Sequence, residues 1–196
     1  MKRYLSGLLL TGLLAACTET PPTHFYTLST QPPADAPVAG DKTDGLVLAL
    51  APIGLPDYLN RPQLIVRLDE TRMDLADLHN WIEPLDTLIQ RTMAVDMQSE
   101  PGIMMVLRLP ERRQSAYDYG IEVNFTRFES NIDGMAWLDA DWTMVDAMDA
   151  EIARQHVSRQ ITVEDPADKA SHVRALSQLI EDLNTTIMQA LPAPGS

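Results

Sequence analysis

The chain is poor in cysteine, in aromatic residues and in positive charge. One cysteine in 196 residues excludes an internal disulfide, so stability must come from a packed core. Fifteen basic residues stand against 28 acidic ones, and a net charge of −13 excludes the basic stripe that binding to nucleic acid needs. No hydrophobic run reaches the roughly 20 residues of a membrane-spanning helix. Nine glycines are scattered without a phosphate-cradling loop, and no nucleophile elbow is present. The four histidines, His24, His79, His156 and His172, fall in four separate segments without ligand spacing. They read as scattered surface residues, and no metal or cofactor is expected. Asp139, Asp141, Asp146 and Asp149 lack the loop glycine of a calcium hand and read as a solvated sheet face. Without a nucleophile–base pair, nothing points to an enzyme.

What is present begins at the N-terminus. Lys2 and Arg3 precede the mostly apolar stretch Leu5 to Leu14, and the small residues Ala15 and Ala16 follow. That order of charge, apolar run and small residues is the layout of a secretory signal peptide. Leu14-Ala15-Ala16-Cys17 resembles the bacterial lipobox. The resemblance implies cleavage between Ala16 and Cys17, diacylation of the Cys17 sulfur and acylation of its new amine. Two or more acyl chains give stable anchoring at about 0.8 kcal/mol per buried CH2. Thr18 stands where an aspartate would retain a lipoprotein in the inner membrane, so the implied location is the periplasmic face of the outer membrane. Loss of the leader leaves 13 basic residues and a net charge of −15. So acidic a chain gains nothing from anionic headgroups, which leaves the membrane contact to the lipid.

The expected organisation is a signal peptide over 1–16, a lipidated tether over 17–23, one domain over 24–192 and a tail over 193–196. HFYTLS, from His24, is β-prone, and the proline-rich stretch from Thr30 to Asp44 reads as a surface loop. Leu46 to Leu55 is a continuous apolar run, the pattern of a strand buried on both faces. Leu64 to Asp69 forms the next strand. Leu78, Trp81, Ile82, Leu85, Leu88 and Ile89 then fall at helical spacing, with Pro84 in the first turn or at a kink. Ile103 to Leu109 is a strand, and Tyr117, Tyr119, Ile121, Val123 and Phe125 alternate along another. Asn131 to Gly134, NIDG, signals a hairpin turn. Ala136, Leu138, Ala140, Trp142 and Met144 share one side of the returning strand. Ala153, Val157, Ile161 and Val163 mark the last strand. Asp165 as N-cap and Pro166 as first helical residue would open a final helix. Its apolar stripe runs Val173, Leu176, Leu179, Ile180, Leu183, Ile187 and Leu191. The sum is an α+β fold: an antiparallel β-sheet with two amphipathic helices packed on one face.

Contact residues are harder to read. Met104, Met105, Met144 and Met148 suit either core filling or an adaptable apolar groove. Trp137 and Trp142 lie on opposite faces of one strand, so one of them is nearer the surface and a candidate partner contact. In PDYLNRPQ, Pro56 and Pro62 bound a turn. Arg61 and Arg67 are candidates to pair with a buried carboxylate such as Glu83. Two readings of this turn stand together, an architectural one and one in which Tyr58, Leu59 and Arg61 face a partner.

Three blocks carry a family resemblance: HFYTLS from His24, LALAPIGLPDYLNRPQLIVR from Leu48 to Arg67, and HNWIEPLDTLIQR from His79 to Arg91. Together they resemble the PqiC-type lipoproteins, the auxiliary lipoprotein family of ABC-type and MCE envelope transport systems. The acidic, methionine-rich region from Met135 to Asp149 matches no family pattern. The resemblance implies a non-enzymatic outer-membrane lipoprotein that docks an MCE-domain partner in lipid transport across the periplasm. Phospholipid contact and homo-oligomerisation are further expectations. The alternative is a periplasmic module that binds lipid or a small apolar molecule and hands it to an ABC transporter.

Intact-mass analysis of membrane-extracted protein should show a chain starting at Cys17 with added acyl mass. Cys17→Ser should leave the domain folded and detached from the membrane.

Overall fold

The computed structural model describes residues 21–29, 44–110 and 116–192. The leader, Ala16 and Cys17, the first part of the tether, the loop over 30–43 and the tail over 193–196 lie outside the described residues. Eight strands and two helices form an α+β fold. In chain order they are β1 (His24–Tyr26), β2 (Leu46–Leu50), β3 (Gln63–Arg67), β4 (Met73–Trp81), α1 (Leu85–Ser99) and β5 (Ile103–Arg108). After them come β6 (Tyr119–Asn131), β7 (Met135–Asp146), β8 (Glu151–Thr162) and α2 (Lys169–Gln189). A single 3-10 turn, Asp57–Leu59, sits between β2 and β3.

The 13-residue strand β6 is the spine of the sheet. On one side it pairs antiparallel with β7, which pairs antiparallel with β8. Its other side is shared by two parallel strands laid end to end. Strand β2 runs along its start, Leu48 opposite Tyr119, and β3 along its end, Val66 opposite Ser130. Gly54 bridges to Asn124 between them. Beyond β2 lies β5, parallel; beyond β3 lies β4, antiparallel, and then β1, parallel to β4. The sheet is therefore mixed, where residue patterning had suggested an antiparallel one. Parallel neighbours need crossover connections, and alternation along a strand does not encode the direction of its partner.

Both helices cover one face. On β7 the alternation is strict: Ala136, Leu138, Ala140 and Met144 are fully buried and Trp142 is 1% exposed, all turned to the helices. Helix α2 lays Val173, Leu176, Leu179, Ile180, Leu183 and Ile187 into the same core, and α1 adds Leu85, Leu88, Ile89, Met93 and Met97. Gly134 closes the β6–β7 hairpin with φ 84°, a left-handed conformation that favours glycine. Asn131 Oδ1 there accepts from the Met135 amide at 2.8 Å.

Two helix starts differ from the sequence reading. Leu78 and Trp81 belong to β4, and α1 begins only at Leu85, with Pro84 in the capping position. Proline holds the residue before it out of the helical region, so the helical spacing across Pro84 joins a strand end to a helix. The N-cap of α2 is Asp168, not Asp165: its carboxylate accepts from the Ala170 amide at 3.0 Å and the Ser171 amide at 3.2 Å. Asp165 instead closes a turn around Pro166, accepting from the Ala167 and Asp168 amides. His172, expected at the surface, is fully buried. Its Nδ1 lies 2.7 Å from Ser130 Oγ and its Nε2 2.8 Å from the Pro166 carbonyl, which ties α2 to β6. Burial pulls its pKa below the ordinary value.

Where α1 meets α2, Asn184 Nδ2 donates to Met93 O and Asp96 Oδ2 at 3.4 Å. Asp96 Oδ1 has no partner among the described residues. Burial, reinforced by the Glu181 carboxylate, pushes Asp96 up to about 6. Its folded pKa is raised, so the native state holds that proton more tightly than the unfolded chain, and stability falls as pH rises from about 4 to 6. Asp96→Asn should therefore stabilise the fold by about 1–2 kcal/mol at pH 7 and leave it unchanged at pH 4, read from denaturant midpoints.

Candidate docking surface on the open sheet face

The face of the sheet away from the helices carries the polar partners of the buried alternation. Residues directly opposite on antiparallel strands share a face. Glu129 of β6 opposes Trp137 of β7, and Trp137 opposes Gln160 of β8. A register shift between Phe125 and Arg127 precedes Glu129 on β6. Glu129 is nevertheless 1% exposed, because three side chains close over it. Arg67 Nε donates to its Oε1 at 2.5 Å, Arg127 Nε to the same oxygen at 2.9 Å, and Tyr58 Oη to Oε2 at 3.1 Å.

Burial opposes ionisation of Glu129, but the hydrogen bonds from Arg67, Arg127 and Tyr58 outweigh it and hold the carboxyl below its ordinary value. Burial and the neighbouring Glu129 charge push Tyr58 up to about 12. The guanidinium of Arg127 also lies over the Trp137 ring, 4.1 Å from its centroid, and Trp137 Nε1 donates to Gln160 Oε1 at 3.2 Å. One continuous array thus runs from Tyr58 through Glu129, Arg127 and Trp137 to Gln160 on β8. Among the described residues no strand pairs with the outer edge of β8. Next to the array, His156 Nδ1 lies 2.9 Å from Asp141 Oδ1.

The candidate contacts separate when placed in this frame. Trp142 is core and cannot be a contact; Trp137 is the partly exposed tryptophan. In the turn, neighbouring residues go opposite ways. Tyr58 reaches Glu129, whereas Leu59 is 4% exposed and packs with Phe128 and Leu176 under the helices, so it is not available to a partner. Arg61 is exposed; its amide donates to the Leu59 carbonyl at 2.8 Å, and its side chain has no hydrogen bond or ion pair among the described residues. Arg67 pairs with Glu129, and Glu83 is taken by Arg91 at 2.6 Å, so neither arginine of the turn block meets Glu83. Tyr58 and Leu59 both hold the turn on the sheet, Tyr58 from the open face and Leu59 from the core. Sequence reasoning missed Glu129, whose only signal was a carboxylate beside apolar Phe128 in a strand.

His24 and His79 do meet, stacked at 5.3 Å between β1 and β4. No group of three or more His, Cys, Asp or Glu among the described residues is placed to hold a metal ion. No described helix is long and apolar enough to cross a membrane. The crevice under Leu59, Trp81 and Phe128 holds about 10 Å³, too little for a ligand.

Glu129→Gln leaves two guanidiniums facing a neutral amide. It should cost about 3 kcal/mol, the low end for a broken buried pair, since both arginines still reach water. Because the folded pKa is depressed, the Glu129 contribution is present above its unfolded pKa and lost as pH falls through the folded value. The deficit of the variant should therefore shrink in acid, as measured by urea unfolding between pH 7 and 3.

No curated protein matches the chain. Crystal structures with its fold include the following two. One, of an uncharacterized protein, has a TM-score of 0.71 and 17% identity, over 86% of this chain and 98% of its own. The other, protein XCC0632 from Xanthomonas campestris, of the DUF330 family, has a TM-score of 0.66 and 15% identity, over 83% of this chain and 91% of its own. The family model that matches covers residues 26–188, all of the strand and helix framework from the end of β1 to the last turn of α2. By that match the chain belongs to the ABC-type transport auxiliary lipoprotein components, a transport-associated family that is not an enzyme class.

Proposed function

We propose that the protein is a non-enzymatic lipoprotein, anchored through Cys17 to the periplasmic face of the outer membrane. There its open sheet face docks an MCE-domain partner of an ABC-associated lipid transport system. The observation that carries the docking role is the array from Tyr58 to Gln160. Tryptophan, tyrosine and arginine are the residues enriched at interface hot spots. Here Tyr58 and Arg127 are bonded to a buried carboxylate and Trp137 is held by Arg127 and Gln160, so little side-chain freedom remains to be lost on association. Family membership supports the transport setting, and the lipobox-like segment supports the anchor.

A second reading has its own observation. A solvent-open groove of about 670 Å³ is lined in part by Leu46, Ile103, Met188 and Leu191, a volume within the range of small-molecule sites. It favours a module that holds an apolar molecule.

Photocrosslinkers at Trp137, Asp139 and Gln160 in cells should capture the MCE-domain partner. Trp137→Ala should weaken the association by about 1–3 kcal/mol with the melting temperature nearly unchanged. Capture of phospholipid alone would favour the second reading, and capture of no transport component would remove the docking role.

A further inference from the structure

Two exposed apolar side chains meet at one end of the domain. Phe25 is 59% and Ile82 58% exposed, among the barest large apolar side chains in the described residues. They are neighbours. Phe25 opposes Asn80 in register, two residues before Ile82, and the Ile82 amide donates to the Tyr26 carbonyl at 2.9 Å. Beside them a pocket of about 260 Å³ is lined by Asn60, Arg61, Pro62, Trp81, Glu83 and Pro84. Glu83 is already bonded to Arg91, so among the described residues Arg61 brings an uncompensated positive charge to that pocket. The volume falls below the roughly 300–1,000 Å³ of sites that enclose a whole small molecule. It suits a single anionic group.

The chain that precedes this patch says what covers it. Phe25 lies eight residues after Cys17, and eight residues span at most ~28 Å. We propose that this end of the domain rests on the lipid surface that holds the anchor, with Phe25 and Ile82 in the interface and Arg61 on a phospholipid phosphate. The inference rests on the anchored reading above. It also assigns the contact a residue-level origin that bulk composition hides, since a net charge of −13 does not show a guanidinium that stands beside two apolar side chains without a partner among the described residues. Seating this end on lipid leaves the array from Tyr58 to Gln160 for the partner.

Cys17 is the chain's one cysteine, and acylation consumes it, so Phe25→Cys and Ile82→Cys each give a unique labelling site. Ile132→Cys is the control: it is 50% exposed, and its amide bonds the Arg67 carbonyl at the opposite end of β3. The acylated full-length variants, melting as the parent does, are labelled with a fluorophore. They are placed in phosphatidylethanolamine–phosphatidylglycerol vesicles containing spin-labelled lipid. Quenching at positions 25 and 82 should be at least threefold stronger than at 132, and Arg61→Glu should halve the quenching at 82 without changing flotation. Equal quenching at all three positions in a protein that floats overturns this proposal and leaves the anchor standing. A chain that does not float overturns the anchor and the proposal with it. A photocrosslinker at position 82 that captures protein in place of lipid also overturns it.

Discussion

The carboxylate of Glu129 is the contact on which the open face is organised. It lies where the sheet changes character, at the end of β6 that β3 borders and close to the turn that fills the gap between β2 and β3. A buried charge in such a place is costly unless it is paired and bonded. Arg67, Arg127 and Tyr58 satisfy it from β3, from β6 itself and from the turn. The same bonds fix what surrounds it. Tyr58 is held down on the sheet, its neighbour Leu59 is directed into the core, and Arg127 is left with a face to stack on Trp137.

The molecule thereby presents surfaces of different chemistry. One side is closed by α1 and α2 over a core packed without ligand space beneath the turn. The opposite side is a polar sheet face with an aromatic–guanidinium array, ending at the edge of β8, which no strand among the described residues pairs. A third region, at the joint ends of β1, β3 and β4, carries exposed Phe25 and Ile82 beside Arg61, whose guanidinium has no partner among the described residues. This division suits a protein held by one end and read by another. The part of the helices is to make the sheet rigid enough to hold the array in one geometry, with His172 joining α2 to Ser130 on β6.

The family blocks that stand out in the sequence converge in space for a structural reason. PDYLNRPQ supplies the turn that fills the gap beside β6, and WIEPL supplies the passage from β4 into α1. The amide of Trp81 donates to the Pro62 carbonyl at 2.7 Å, so the two blocks share one joint. The Arg61 side chain in that joint has no partner among the described residues.

The sequence by itself determined several features that depend on local order along the chain, though not the α2 cap, which falls to Asp168 and not Asp165. The lipobox-like segment, the buried alternation on β7, the stripe of α2 and the hairpin at Gly134 follow from residue type and period, because each is governed by neighbours within a few positions. Tertiary structure alone decided the rest. Strand direction in the sheet, the strand identity of Leu78 and Trp81, the burial of Trp142 as against Trp137 and the pairing of Glu129 with two arginines are all set by partners distant in the chain. The Arg67–Glu129 pair spans 62 positions, and His172 meets Ser130 across 42. Whether a polar residue costs or contributes depends on what lies opposite it once the core has closed, and residue order does not state that.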